Sequence, residues 1–169
     1  GVGGKGVNGG YSKDATMIKK AYKVLRKYHP QLSLITLYGP DYWGHKKSWK
    51  KYVGAIKQTD KMVLKLLDYF QNDPFYKGKT TVFLTNDHGR HTKGHKDGFH
   101  SHGDGCEGCR HISLMAFGPD FKKDEVVVTR RNLVDIPATI EELLGLDIPH
   151  LQGEVMTELF LDKHQSNFY

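Results

Sequence analysis

Two short apolar runs, each breaking off into a polar cluster and separated by one long amphipathic stretch, constrain this chain more than any other feature. Residues 32–38 (LSLITLY) and 80–85 (TTVFLT) are apolar and β-branched in the manner of buried strands. The first runs straight into Gly39-Pro40-Asp41 and the second into Asn86-Asp87-His88-Gly89. Between them, residues 48–70 set Tyr52, Ala55, Ile56, Met62, Val63, Leu66 and Leu67 along one side of a helix that Asn72-Asp73-Pro74 closes. Strand, helix, strand in this order predicts a right-handed parallel crossover, which carries both polar clusters to the same carboxyl edge of one sheet. The expected fold class is therefore α/β, with a mostly parallel sheet flanked by helices.

The flanking segments fit that frame. Residues 13–28 repeat apolar side chains near a 3.6-residue period and predict an amphipathic helix stopped by Pro30. Residues 111–117 read as a third strand ended by Gly118-Pro119, and residues 125–129 as a short edge strand. Residues 132–144 predict a helix with Asn132 as cap, Pro137 tolerated near its first turn and Gly145 as its stop. Residues 90–110 lack any period and are rich in Gly, His and Asp, the composition of a functional loop. Residues 1–12 read as a glycine-rich loop or engineered scar, and residues 13–169 as one domain without internal repeats.

A hydrophobic content of 38% over 169 residues supports a packed core. The net charge of +6 comes from lysines scattered through helical stretches, which are solvated faces rather than a nucleic-acid patch. Such a field favours an anionic substrate. No run approaches the roughly 20 apolar residues of a membrane span, and no signal peptide opens the chain.

Chemistry concentrates in a few places. Asp41 and His45 stand four residues apart just beyond the first apolar run, a spacing that sets a carboxylate and an imidazole on one side of a turn or opening helix, where they can hold one metal. Asp87 and His88 are adjacent, so they share a site only if the chain leaves strand geometry there, which Gly89 permits. Six of the ten histidines (His88, His91, His95, His100, His102, His111) fall between residues 88 and 111. Of these, His102, in the loop before Gly118-Pro119, is either a further ligand or one more exposed histidine, while His91, His95 and His100 read as exposed. Cys106 and Cys109 form one C-x-x-C, open to a structural metal, a disulfide or free thiols; Arg110 after the second Cys excludes haem attachment.

A D-x-x-x-H, a DHG and a later HG, each following its apolar run, resemble the alkaline phosphatase superfamily, in particular its type I phosphodiesterase and sulfatase-like branch. The similarity runs through "LITLYGPDYWGHKKSW", "KTTVFLTNDHGRH", "HGDGCEGCRHISLMAFGPDF" and "VDIPATIEELLGLDIPHLQGEVMTELF". The resemblance implies that Asp41, His45 and His102 bind one metal and Asp87 and His88 a second; His111 is the alternative to His102, which is preferred because His111 opens the third apolar run. It implies two divalent ions, zinc foremost, with manganese or iron as alternatives and calcium in a sulfatase-type site. A Ser or Thr nucleophile and a further carboxylate belong to an N-terminal part that is missing here. The implied activity is hydrolysis of small phosphate esters in a periplasmic or secreted setting. Sulfate ester hydrolysis, phosphonate hydrolysis, phosphomutase chemistry and a non-catalytic metal-binding remnant are the alternatives.

Overall fold

The computed structural model describes residues 13–95 and 97–161; the glycine-rich start lies outside the described residues. The chain combines helices with a small two-stranded sheet and divides into two compact units, one from residues 1–77 and 88–111 and the other from 78–87 and 112–169.

In the first unit, α1 (Asp14–Tyr28) ends where His29 adopts a left-handed conformation ahead of Pro30. Helix α3 (Trp49–Asn72) packs on it through Ile18, Leu25, Leu66 and Tyr76, with Tyr22, Met62, Tyr69 and Phe70 around them. Tyr76 buries its ring in this core and donates its hydroxyl to the Leu25 carbonyl at 3.0 Å, a second donor to an oxygen that already accepts the His29 N–H at 3.2 Å. Ile35 and Leu37 also pack against the core, whereas Leu34 points into water. Alternating exposure is thus kept over residues 34–38, but residues 32–38 form no strand. The short helix α2 (Gly39–His45) follows at once. Its entry is held by Asp14, whose carboxylate accepts the backbone N–H groups of Tyr38 at 2.9 Å and Gly39 at 3.0 Å. Residues 88–111 carry a 3-10 turn at Gly98–His100 and the four-residue helix α4 (Glu107–Arg110).

In the second unit, β1 (Val82–Thr85) pairs antiparallel with β2 (Leu114–Phe117) in the register Val82 to Phe117 and Thr85 to Leu114. The expected parallel sheet is not seen: among the described residues neither 32–38 nor 125–129 joins a ladder, and the two-stranded ladder and the isolated Phe121–Phe160 bridge are antiparallel. Apolar β-branched composition signals an extended, half-buried chain but carries no information on the direction of its neighbour. Helix α5 (Asp135–Leu144) ends at Gly145 in a left-handed conformation, as its sequence predicts, but begins three residues later than expected. Asn132 does not cap it; its own N–H is accepted by the Asp135 carboxylate at 2.8 Å. The core here is Phe121, Phe160, Met156 and the fully buried Thr139, with the rings of Phe121 and Phe160 edge to face at 5.1 Å. Phe83 of β1 reaches Phe121, which gives an otherwise marginal two-stranded sheet an apolar support. No helix among the described residues is long and apolar enough to cross a membrane.

Candidate metal centre

Helix α2 presents Asp41 and His45 on one face, as a spacing of four dictates. The Oδ1 atom of Asp41 is the hub. His45 Nε2 lies 3.4 Å from it, His102 Nε2 also 3.4 Å, and His88 Nε2 3.9 Å. His45 and His102 face each other with 3.1 Å between their Nε2 atoms. His88 stacks on His102, ring centroids 3.6 Å apart. Burial and the neighbouring His88 imidazole hold His102 below its ordinary value, against the opposing pull of Asp41. That shift favours the neutral imidazole, the form that offers a lone pair to a cation.

A residue that the sequence reading passed over fixes this hub. Arg90 ion-pairs with Asp41 Oδ1, donates to the Asp41 carbonyl at 2.9 Å and to the Phe99 carbonyl at 3.1 Å, and is almost wholly buried. Gly44 makes room for it, because a Cβ there would stand 2.4 Å from the Arg90 Cζ. Phe99 in turn meets Trp49 and Tyr52, so an aromatic wall from the start of α3 backs the arginine. The glycine of the DHG motif has a different task. A Cβ on Gly89 would fall 1.9 Å from the Gly108 carbonyl oxygen, and a Cβ on Gly108 would fall 2.3 Å from the Arg90 carbonyl oxygen. Two backbone stretches therefore touch directly, and Gly89 N–H donates to the Cys109 carbonyl at 2.8 Å.

The structure brings Asp41, His45, His88 and His102 together. Asp87 belongs to the second unit, so the adjacent pair of the DHG motif is divided between the units, and His88 lies with Asp41 and His102. His111 caps α4 at its C-terminus and is a member of neither cluster of metal-ligating side chains among the described residues. Contrary to expectation, His91 is buried, and His95 is half-buried. Both lie at Asp104 beside Cys106 and Cys109, which are free thiols. The Cys106 thiol and N–H hold the Asp104 carboxyl well below the usual range, and Asp104 in turn pushes that thiol up.

A profile of the metalloenzyme superfamily matches residues 6–148. Among curated proteins, the chain is 28% identical to arylsulfatase K of Gallus gallus over 113 residues, 66% of this chain and 21% of that protein. It is 28% identical to phosphopentomutase of Carboxydothermus hydrogenoformans over 106 residues, 62% of this chain and 24% of that protein. The matched segment thus spans less than a quarter of the length of these relatives. No solved structure is matched. With the profile extending over most of the sequence and through both metal-type motifs, the chain belongs to the metalloenzyme superfamily, the alkaline-phosphatase-like enzymes.

Proposed function

We propose that the chain carries the metal-binding part of an enzyme that cleaves phosphate esters, with Asp41, His45 and His102 holding one divalent ion. Asp87 and His88 are assigned to a second ion. The observation that supports the reading is the triangle of donor atoms, 3.1, 3.4 and 3.4 Å on its sides. Ligands about 2.0–2.1 Å from a tetrahedral zinc ion stand about 3.3 Å apart, so the triangle has the size of one face of such a tetrahedron. Two imidazoles and a carboxylate suit zinc, manganese or iron better than magnesium or calcium.

An ion held there supplies Lewis-acid stabilisation of charge on a phosphoryl oxygen. The chain's own residues orient it. Arg90 fixes the Asp41 carboxylate, α2 fixes the spacing of Asp41 to His45, and the neutral His102 closes the triangle. The hydroxyl nucleophile is assigned to sequence outside this chain, and the two units to a single catalytic domain. The likeness to an arylsulfatase supports sulfate ester hydrolysis as the second reading, and the likeness to a phosphopentomutase supports phosphoryl transfer. The D-x-x-x-H pair favours phosphate over sulfate.

Zinc or manganese titration calorimetry of the purified chain tests the triangle. His45→Ala and His102→Ala each remove about one equivalent of bound metal while the far-ultraviolet circular dichroism is unchanged. Undiminished stoichiometry in both variants would rule the triangle out. Relative rates on an aryl phosphate, an aryl phosphodiester and an aryl sulfate, measured on the enzyme that contains this chain, decide the ester class.

A further inference from the structure

Apart from the centre above and independent of it, we infer that His91, Asp104, Cys106 and Cys109 form a structural zinc site inside the loop of residues 88–111. One ligand atom from each of the four lies within 4.8 Å of the others, and a small inward movement brings them to the roughly 3.8 Å between the sulfurs of a tetrahedral ion with Zn–S bonds of about 2.3 Å. The donor set is the one zinc selects, two thiols with an imidazole and a carboxylate.

Two observations separate this cluster from a chance gathering of polar groups. His91 is buried, at 8% exposure, and neither of its ring nitrogens has a hydrogen-bond partner. Its Nε2 stands 3.3 Å from Asp104 Oδ2, near enough for attraction but without hydrogen-bond alignment. A buried imidazole left so carries the desolvation cost of each unmet group, and a cation shared with Asp104 meets the need. The second observation is the C-x-x-C turn, where the Cys109 N–H donates to Cys106 Sγ at 3.4 Å and the Cys106 N–H donates to Asp104 Oδ1 at 3.1 Å, so that the backbone of the turn gathers three of the four donors. His95 Nε2 lies 3.2 Å from the same Asp104 oxygen and holds the carboxylate from the outer side. Binding deprotonates both thiols and releases their protons to solvent.

The site has a mechanical role. Cys109 and Gly108 lie backbone to backbone against Gly89 and Arg90, so a metal that ties Cys106 and Cys109 to His91 locks the segment that bears His88 and Arg90.

Cobalt titration of the reduced wild-type chain tests the assignment without reliance on any variant. The expected spectrum has intense tetrahedral visible bands and a near-ultraviolet thiolate-to-cobalt band, both bleached by zinc. Cys106→Ser and Cys109→Ser abolish the thiolate band and remove about one equivalent of metal, whereas His45→Ala keeps the band and loses the other equivalent. Absence of the thiolate band in the reduced wild type overturns the inference, as does its survival in Cys109→Ser. A stable Cys106–Cys109 disulfide in the protein as purified from reducing buffer, detected by mass, also overturns it. Failure of the Asp41 triangle shows separately, as unchanged stoichiometry in His45→Ala with the thiolate band present.

Discussion

Arg90 and Gly44 act as one device, because the arginine fits only where the glycine leaves space for it. Replacing Arg90 by Lys removes the fork that grips both the carbonyl and the carboxylate of Asp41. Metal affinity at the Asp41 triangle is expected to fall roughly 10–100-fold, the usual effect of losing a group that orients a ligand. Gly44→Ala, which touches no ligand, should reproduce the loss in the same titration; wild-type affinity in that variant would show that Arg90 does not position Asp41. Asp87→Asn, in the enzyme that contains this chain, is expected to abolish ester hydrolysis with the melting temperature little changed, and near-normal turnover would make Asp87 a turn residue. Asp41 and His45 were legible in the sequence because their relation is local, one helical turn. Arg90 was not, since it acts on a residue 49 positions away, and Asp14, holding Tyr38 and Gly39 from 24 and 25 positions away, was invisible for the same reason.

Helix α5 owes its start to a carboxylate rather than to a capping side chain before it. Asp135 is buried and accepts N–H groups from Asn132 at 2.8 Å and from Glu154 at 3.0 Å. Burial alone would push its carboxyl up, but these two donors and the charge of Arg131 outweigh it, and the net shift is downward from 3.8. A carboxyl lowered in the folded state stabilises the fold fully above its unfolded value and loses that contribution as pH falls through the folded one. Wild-type stability should therefore decline below about pH 4, while Asp135→Ala, less stable at pH 7 by about 1–3 kcal/mol for each stranded N–H, shows a shallower acid decline. Denaturant unfolding at pH 7 and pH 3 measures both, and parallel pH profiles for the two proteins would contradict the assignment. Helices were legible to within a few residues at their ends because their signal is a short-range period. The sheet was not: residues 80–85 announce a strand, but their antiparallel partner, Leu114–Phe117, is chosen by the fold beyond a long intervening loop.

For the molecule as a whole, the assignment of the nucleophile to sequence outside this chain implies that the 169-residue protein hydrolyses an activated aryl phosphate no faster than metal-containing buffer does. A stoichiometric burst with a phosphoryl group retained on this chain would show that the nucleophile lies within it. The extended segments that join no ladder have a practical consequence for handling the protein. Leu34 in one unit is 92% exposed, and Val126 and Val128 in the other are 88% and 93% exposed, on stretches that join no ladder among the described residues. Such unprotected edges template assembly between molecules. The purified chain is therefore expected to lose colloidal stability as its concentration rises, with a sedimentation coefficient that climbs on concentration, and gatekeeper charges at Leu34→Lys and Val128→Lys should raise the solubility ceiling without altering the melting temperature.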